Sequence, residues 1–421
     1  MTEKLFYLLQ RVARQTWVRC VLFSLVGVLA VGLSMVLGPS IPEDVAVKLG
    51  ADAIGSMLNI IATSMLTVAI FSASTMVSSF TAVAGSATPR ASQLMIEDTT
   101  IQNTLATFIG AFLYSVIALI GLNARIYGGG GRLVLFGFTV AILLIVVIVL
   151  LRWIDYLSVL GRMGETLQRV EKATIKAMGQ RLSRPCLGGR PLRRGSQGRH
   201  TLFSSETGFV QHVSMDILQK LAEEGDDNLN VHVLPGAFVE PSILLISSDR
   251  PMDEARRKAL RDAVLIGASR TFDHDPRFGL AVLGEIATRA LSPGVNDPGT
   301  ALEVMATALR TLVYWAHHMH SDAAKADLMF DRVSAPPMDE GGMLDDVFLP
   351  LARYGAGAVE VGLQMQRSLA SIRRLHHPEF DAAVQRLSPY AIERAVHADL
   401  YEADVQGLRE AAEEVQQAAP T

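Results

Sequence analysis

A run of turn-forming residues between two predicted helices is the strongest candidate ligand site in the soluble part of the chain. Residues 292–300 end one helix, turn through a Pro-Gly pair and start the next helix, with Asn296 or Asp297 as its cap. A helix start with a cation nearby can hold an anion, and Arg289 and residues 275–277 supply arginines. The candidates for ligand binding or gating are Arg90, Asp275, Arg277, Arg289, Ser292, Asn296, Asp297 and Thr300. Two interpretations stay open: a plain helix–turn–helix corner, or a binding or gating element.

One uncharged segment, residues 53–89, is long enough to cross a bilayer and carries a regular pattern of polar side chains. At about 100° per residue, these side chains fall within about 60° of one line, whereas Leu58, Met65 and Val83 lie opposite. Hydrocarbon cannot satisfy hydroxyl or amide groups, so we expect this face to contact another helix or water. We term this face the polar stripe: Ser56, Asn59, Thr63, Thr67, Ser74, Ser78 and Thr81.

Two interpretations of the polar stripe also stay open. In the first, small hydroxyl side chains let membrane helices approach closely and form weak hydrogen bonds, at about 1 kcal/mol each or less. In the second, the stripe lines a water-filled pathway, as in an ion channel. The length of the stripe, about seven turns, favours the pathway, because crossing helices rarely stay in contact over that distance.

Histidine clusters give little support for metal chemistry. His317, His318 and His320 share a predicted helix, and neighbouring histidines on a helix point apart rather than converging on one ion. We expect these residues, and the pair His376 and His377, to lie on the surface. No nucleophile elbow, Walker loop, dinucleotide glycine pattern or paired-carboxylate motif occurs in the sequence. We therefore predict no catalytic residue, metal or cofactor.

The composition is that of a membrane protein with a soluble portion. Of the 421 residues, 50% are hydrophobic and 19% are charged, and the mean hydropathy is +0.29. The net charge of −4 gives no reason to expect nucleic acid as a partner, whereas the lipid bilayer is an expected one. Cys20 starts an apolar run and Cys186 lies in a polar segment, so no disulfide between them is predicted.

Four apolar segments are long enough to span a bilayer, so the membrane portion is predicted to be α-helical. Their approximate bounds are 17–38, 53–84, 105–122 and 133–151. Four spans place both termini on one side, and lysine and arginine concentrate on that side. The protein is therefore expected in the bacterial inner (cytoplasmic) membrane with cytoplasmic N- and C-termini. The four glycines at 128–131 predict an external turn without regular structure.

The predicted fold is a four-helix transmembrane domain followed by a cytoplasmic α+β module and a C-terminal helical domain. Short alternating runs separated by turn residues predict the strands of the module, and longer periodic runs predict the helices after it. The predicted boundaries are a transmembrane domain at 1–152, a juxtamembrane helix at 153–182, a basic Gly/Pro/Arg linker at 183–200, the α+β module at 201–250 and the helical domain at 251–421.

Several motifs resemble a bacterial family of predicted membrane proteins, domain of unknown function 2254. The specific ones are DPRFGL at 275–280 and RALSPGVNDPGTA at 289–301, and shorter ones include TPR at 88–90, LATFIGAFLY at 105–114 and PGAFV at 235–239. The resemblance runs from the first span to about Arg374. It implies an integral inner-membrane protein with a cytoplasmic C-terminal domain, and it supplies no activity, substrate or catalytic residue. Gly299 departs from the family, which usually has an aromatic residue there.

The sequence favours an oligomeric ion channel or pore that is gated by the cytoplasmic domain. The alternative is a non-conducting membrane sensor or scaffold whose soluble domain binds a small ligand or a partner protein. A membrane-bound enzyme is the least favoured hypothesis. A homo-oligomer is expected, with an ion or a small anionic ligand as the other partner. A proton-coupled transporter is disfavoured because residues 53–89 contain no charge.

Overall fold

A computed structural model describes residues 16–37, 53–96, 98–193, 195–322 and 327–418 of the chain. The chain divides into two compact units. Among the described residues, the membrane unit lies within Leu5–Gly85 and Ser92–Arg162, and the C-terminal unit lies within Ser86–Ala91 and Met163–Thr421. The fold is mostly helical, with a sheet-containing region and C-terminal helices after the membrane helices.

The described chain before Met163 is entirely helix and short connections. Its helices are α1 (Thr16–Leu37), α2 (Ala53–Ser86), α3 (Pro89–Ile96), α4 (Thr99–Asn123) and α5 (Gly129–Val159). Among the described residues, α2, α4 and α5 are long and apolar enough to cross a membrane. α1 contains a shorter apolar stretch, Gly27–Leu37, so the span predicted at 17–38 is not one of these three, and residue 38 lies outside the described part.

Buried apolar side chains hold the membrane unit together. Met65 of α2 packs in one cluster with Phe108 of α4 and Trp153 of α5. Leu58 of α2 packs in a second cluster with Tyr114 of α4. Both α2 residues lie on the face opposite the polar stripe, so the helical period of the apolar residues determines which side of α2 packs against its neighbours.

The glycine run at 128–131 begins a helix, which corrects the prediction of an irregular turn. Gly128 is the N-cap of α5, and the turn itself is limited to residues 124–128. A Cβ atom at Gly131 would lie only 3.1 Å from the carbonyl oxygen of Ser34. The missing side chain therefore allows α5 to start close against α1, and close packing explains this glycine better than flexibility does.

The C-terminal unit contains both helices and strands. Its helices are α6 (Met163–Ser183), α7 (Met215–Glu224), α8 (Glu254–Asp262), α9 (Pro276–Ala290), α10 (Pro298–Asp322), α11 (Gly341–Tyr354), α12 (Val359–Arg373), α13 (Pro378–Val396) and α14 (Glu402–Gln417). Its strands are β1 (Gly189–Pro191), β2 (His200–Phe203), β3 (Gly208–Val213), β4 (Leu229–Val231), β5 (Phe238–Val239), β6 (Leu244–Ser248), β7 (Val264–Gly267) and β8 (Phe330–Ala335).

The strands form two sheets around one apolar core. The larger sheet has the order β1-β8-β4-β6-β2, and β8 pairs in parallel with both β1 and β4. The smaller sheet has the order β5-β3-β7 and is antiparallel. Leu218 of α7, Leu260 of α8 and Leu245 of β6 are buried together between the sheets and these helices.

The strands extend beyond the range predicted for the α+β module. Residues 201–250 supply β2 to β6, but β1 lies in the predicted linker at 183–200, and β7 and β8 lie in the region predicted as helical. β8 pairs with β1, which is more than a hundred residues away in the sequence. A strand whose partners are so distant has a weak local signature, because its stability comes from the sheet it joins.

Three predicted helices are interrupted in the structure. The juxtamembrane helix predicted at 153–182 is divided, because α5 continues to Val159 and α6 starts at Met163, with Gly161 between them at φ +86°. The apolar spacing of residues 344–374 predicts one helix, which breaks around Gly355 into α11 and α12. The spacing from Pro378 to about Gln417 predicts another, which breaks near Asp399, at φ +55°, into α13 and α14.

Candidate functional site

All seven residues of the polar stripe lie on the exposed side of α2. On the opposite side, Leu58, Ile61, Met65 and Val83 are each at most 6% exposed. Packing against the described helices of this chain therefore does not explain the stripe. Its neighbour is then a second polypeptide, water, lipid or a part of the chain outside the described residues.

Hydrogen bonding divides the stripe residues into two groups. Thr63, Thr67 and Thr81 donate their hydroxyl protons to the backbone carbonyl four residues earlier, at 2.9–3.0 Å. These three donors are satisfied within the helix itself. The stripe residues that form no side-chain hydrogen bond with any described residue are Ser56, Asn59, Ser74 and Ser78. Asn59 has two N–H donors and a carbonyl acceptor, so it is the costliest of the stripe residues to place against hydrocarbon.

An apolar turn, which the sequence analysis did not single out, interrupts the stripe. Ile70 and Phe71 are 60% and 63% exposed. They lie three and four residues from Thr67 and from Ser74, on the same face of α2. The exposed face is therefore polar toward both ends and apolar in the middle. The signal was present in the sequence, because the same helical spacing that defines the stripe includes Ile70.

The corner at 292–300 is an exposed helix–turn–helix connection. Asp297 caps α10, with its two carboxylate oxygens accepting hydrogen bonds from the Thr300 amide at 3.0 Å and the Thr300 hydroxyl at 2.6 Å. These bonds lower the pKa of Asp297 below its usual value. Ser292 donates to the Arg289 carbonyl at 2.7 Å, and Asn296 adopts φ +48° in the turn. A carboxylate already occupies the helix start, so the geometry favours capping over anion binding here.

Replacing Asp297 by alanine removes both capping bonds and is expected to lower the free energy of unfolding by about 0.5–2 kcal/mol. Asp297→Asn and Asp297→Ser keep an acceptor oxygen and should recover most of that loss. Thermal melts of the detergent-purified protein measure both effects. A variant Asp297→Asn that is as stable as the unmodified protein but has lost its function in the cell would show that the corner does more than cap a helix.

Arg277 joins the start of α9 to α11 through a network of charged hydrogen bonds. Its guanidinium donates to both carboxylate oxygens of Asp346, at 2.7 and 3.0 Å, and to Asp339 at 2.7 Å. Bidentate pairs of this kind are strong and directional. Both carboxylates raise the pKa of Arg277. Burial nevertheless raises the pKa of Asp346 above its usual value, and Arg277 opposes that shift.

Asp275 is buried at the start of α9, where it caps the helix. One carboxylate oxygen accepts from the Phe278 amide at 3.2 Å, and the other pairs with Arg270 at 2.7 Å. The turn glycine Gly236, at φ +96°, lies directly against this carboxylate, and a side chain there would overlap it. The Pro235-Gly236 turn therefore has a packing role that its sequence alone did not reveal.

The structure separates the predicted ligand residues into two groups at opposite ends of α9. Asp275 and Arg277 lie at its first turn, and Arg289 and the corner lie at its last turn, about 20 Å away for a helix of this length. Arg289 is exposed and forms no side-chain hydrogen bond with the described residues. Arg90 pairs with Glu285 on the surface of the C-terminal unit at 2.7 Å. These residues do not form a single site.

One of the predicted surface histidines is buried. His377 is 3% exposed, and its Nε2 lies 3.1 Å from a carboxylate oxygen of Glu340, which is also buried. Burial raises the pKa of Glu340 to about 7, and the neighbouring carboxylates of Glu379 and Asp339 add to that increase. His317 is exposed, as predicted, and His318 stacks on Tyr314. Within the described residues, no cluster of histidine, cysteine and carboxylate side chains could hold a metal ion.

The raised pKa of Glu340 predicts a pH dependence of stability. An unfolded glutamate ionises near pH 4.5, whereas Glu340 in the folded protein stays protonated up to about pH 7. Its contribution is present below pH 4.5 and is lost as the pH rises through 7. Glu340→Gln, which mimics the protonated form, should melt like the unmodified protein at pH 5 and at a higher temperature at pH 8. Equal melting temperatures of the two proteins at pH 8 would contradict this.

Comparison with known proteins identifies the chain at the level of a family. The family model described as "Predicted membrane protein (DUF2254)" matches residues 13–371, which is most of the chain. The chain belongs to this family. Uncharacterized proteins of Mycobacterium bovis and of one Mycobacterium tuberculosis strain are each 33% identical to it over 111 residues. An uncharacterized protein of a second M. tuberculosis strain is 32% identical over the same length.

These mycobacterial relatives support the family assignment without adding an activity. The aligned region covers 25% of this chain and 21% of each of the two 33%-identical relatives, so the chain spans about a fifth of their length. No solved structure matches the chain significantly. Membership of the DUF2254 family establishes a predicted membrane protein, in agreement with the apolar helices α2, α4 and α5.

Arg181 of α6 is a buried, charged residue that the sequence patterns did not single out. It is buried on the inner face of α6, in register with Val170, Thr174 and Ala177. This register repeats every three to four residues, so extending the apolar period of the helix by one turn would have placed Arg181 inside. An arginine at an interior position of a helix is an uncommon arrangement that calls for a partner.

Proposed function

We propose that the protein is an integral inner-membrane protein that assembles as a homo-oligomer around a water-filled path for ions. In this proposal the polar stripe of α2 lines the path and the C-terminal unit gates it. The observation that carries the proposal is the exposure of the whole stripe in the single chain, while the apolar face of α2 is buried.

The chemistry of the stripe favours water over lipid as its neighbour. Asn59 and the serines of the stripe form no side-chain hydrogen bonds with the described residues, so in hydrocarbon their polar groups would be unsatisfied. Copies arranged around a central axis would bring their stripes together and surround them with water. The apolar turn at Ile70 and Phe71 would then form a narrow hydrophobic ring, of the kind that closes channels by excluding water.

The arrangement in the membrane follows from the distribution of charge in the sequence. We place four spans, with α1 as the first, and both termini in the cytoplasm, because lysine and arginine concentrate on that side. The C-terminal unit is then cytoplasmic, where it can sense conditions inside the cell. A reporter fused after Thr421 should be active in the cytoplasm, and a reporter inserted between Ile126 and Gly128 should be active outside.

A non-conducting scaffold is the second candidate, and the bonding of the stripe threonines is the observation that favours it. The hydroxyl groups of three stripe threonines, Thr63, Thr67 and Thr81, donate hydrogen bonds to backbone carbonyls of α2 itself. These side chains therefore tolerate apolar surroundings. Copies could then pack stripe against stripe without water between them. Such an assembly would anchor the C-terminal units side by side without passing ions.

An image of the detergent-purified particle together with a flux assay separates these candidates. The channel proposal predicts a symmetric ring with a central opening, and vesicles containing the protein that pass ions faster than empty vesicles. A closed bundle without an opening, together with flux equal to that of empty vesicles, would contradict the channel and support the scaffold.

A further inference from the structure

A cavity of about 350 Å³ in the C-terminal unit is lined by cationic and imidazole side chains. It lies where the end of α6 meets β3 and the loop before α9. Arg181 and Arg184 contribute from the end of α6, His212 from β3 and His274 from the loop. None of its described lining residues is acidic. The volume lies at the lower end of the range for small-molecule sites, so the cavity suits a small ligand.

Arg181 supplies an unsatisfied buried charge to this cavity. It is 6% exposed, and burial lowers its pKa to about 10, so the guanidinium remains charged at neutral pH. Its Nη2 donates to the His274 carbonyl at 3.1 Å, whereas its Nη1 is buried with no hydrogen-bond partner among the described residues. Asp275 acts on it electrostatically, but that carboxylate is already paired with Arg270. A buried donor without an acceptor is costly, and an anion in the cavity would provide one.

The surrounding charges reinforce this preference for anions. Burial lowers the pKa of His274, Asp273 opposes that shift, and Arg181, Arg184 and Lys176 lower the pKa further. A neutral histidine still offers one ring N–H to a ligand. The His212 and His274 rings lie 4.9 Å apart, centre to centre. The cavity thus combines two guanidinium groups with a pair of imidazoles in a positive electrostatic environment.

We propose that this cavity binds a small phosphorylated anion, whose oxygens accept hydrogen bonds from Arg181 Nη1 and from the Arg184 guanidinium. Planar guanidinium groups match the spacing of phosphate oxygens and bind them in pairs. The bound anion would hold the end of α6 against β3 and the loop before α9. The proposal does not rest on conduction by the assembly.

Melting of the detergent-purified full chain tests the site, with pyrophosphate and inorganic phosphate as probes. We expect both probes to raise the melting temperature, whereas chloride at the same ionic strength should not. Arg184→Met should raise the pyrophosphate concentration that gives half of the full melting-temperature increase at least about tenfold, because it removes one of the two guanidinium groups. The matched control is Arg190→Met, which changes an exposed arginine of β1 outside the cavity. It should leave that pyrophosphate concentration unchanged.

Arg181→Met provides a second readout that distinguishes binding from a structural role. Removing an unsatisfied buried charge should raise the melting temperature in anion-free buffer and abolish the response to phosphate. The proposal is overturned if Arg181→Met melts lower in anion-free buffer and keeps the full phosphate response, or if neither the soluble probes nor phosphatidic acid shifts the melting temperature of the unmodified protein.

The source of the phosphate is resolved by comparing lipids with soluble probes. The same melts are run in nanodiscs that contain phosphatidylcholine alone or phosphatidylcholine with phosphatidic acid. A response to soluble phosphate without one to phosphatidic acid supports a soluble phosphorylated metabolite, and the reverse supports a lipid headgroup. A response to neither in the unmodified protein contradicts the site.

Discussion

Replacing Arg277 by methionine is expected to lower the free energy of unfolding of the C-terminal unit by about 2–5 kcal/mol. The substitution leaves Asp346, whose side chain is 17% exposed, without either of its guanidinium hydrogen bonds. An uncompensated carboxylate in that position is costly, and its pKa, already raised by burial, should rise further. Stability should therefore depend more strongly on pH in Arg277→Met than in the unmodified protein, with the largest deficit at alkaline pH.

The exposed pair of Arg386 and Asp345 supplies a matched control for this change. Its two atoms lie 2.9 Å apart, but the arginine side chain is 56% exposed. Arg386→Met should cost only about 0–1 kcal/mol. The double variant Arg277→Met with Asp346→Leu should recover much of the loss, because neither charge is then left unpaired. Equal losses in Arg277→Met and Arg386→Met would contradict the structural role assigned to Arg277.

The channel proposal predicts that replacing Thr67 by leucine reduces ion flux into reconstituted vesicles about tenfold, which corresponds to ~1.4 kcal/mol in the barrier to conduction. Thr67 is exposed and its hydroxyl donates a hydrogen bond to the Thr63 carbonyl of its own helix, so leucine removes no hydrogen bond between the described helices. It extends the apolar turn at Ile70 and Phe71 toward one end of the stripe. Thr75→Leu, the same change about 100° around α2 from the centre of the stripe, is the control and should leave the flux unchanged.

The reverse change in the same turn should have the opposite effect. Ile70→Thr makes the stripe continuous from Thr67 to Ser74, so it should admit water at the proposed constriction and raise the flux about tenfold. The scaffold interpretation predicts no flux in either variant. It also predicts that Thr67→Leu destabilises the assembly by overpacking, at about 1–3 kcal/mol. An Ile70→Thr flux no higher than that of the unmodified protein would contradict a hydrophobic gate at this turn.

The membrane helices show what a sequence pattern alone can establish. The side of α2 that is buried follows from a helical period of apolar residues, so Leu58 and Met65 were placed correctly without a structure. The helix start at residues 128–131 was not predicted, because Gly131 makes a close approach to Ser34 and a contact between distant segments leaves no local signal. A local sequence pattern predicts which face of a helix is buried, but it does not identify the segment that packs against that face.

The C-terminal unit shows the same limit at its candidate sites. The cap at Asp297 was predicted from a few adjacent residues, because capping is a local interaction. The Arg277–Asp346 pair and the burial of His377 depend on elements that are far apart in the sequence. The register of α6 indicates that Arg181 is buried, but no local pattern reports the cavity that it lines, because that cavity is assembled from a helix, a strand and a loop.

Cysteine accessibility along α2 tests the central claim, that the polar stripe faces water in the assembled protein. Single cysteines are introduced at stripe and buried positions in a background with Cys20→Ser and Cys186→Ala, and are treated with a membrane-impermeant thiol reagent. A cysteine reacts as its thiolate, which forms only where water reaches it. The account predicts reaction at Thr63, Thr67, Ser74 and Ser78, protection at Leu58 and Met65, and a period of about 3.6 residues. Protection at every stripe position in the membrane-embedded protein would contradict it.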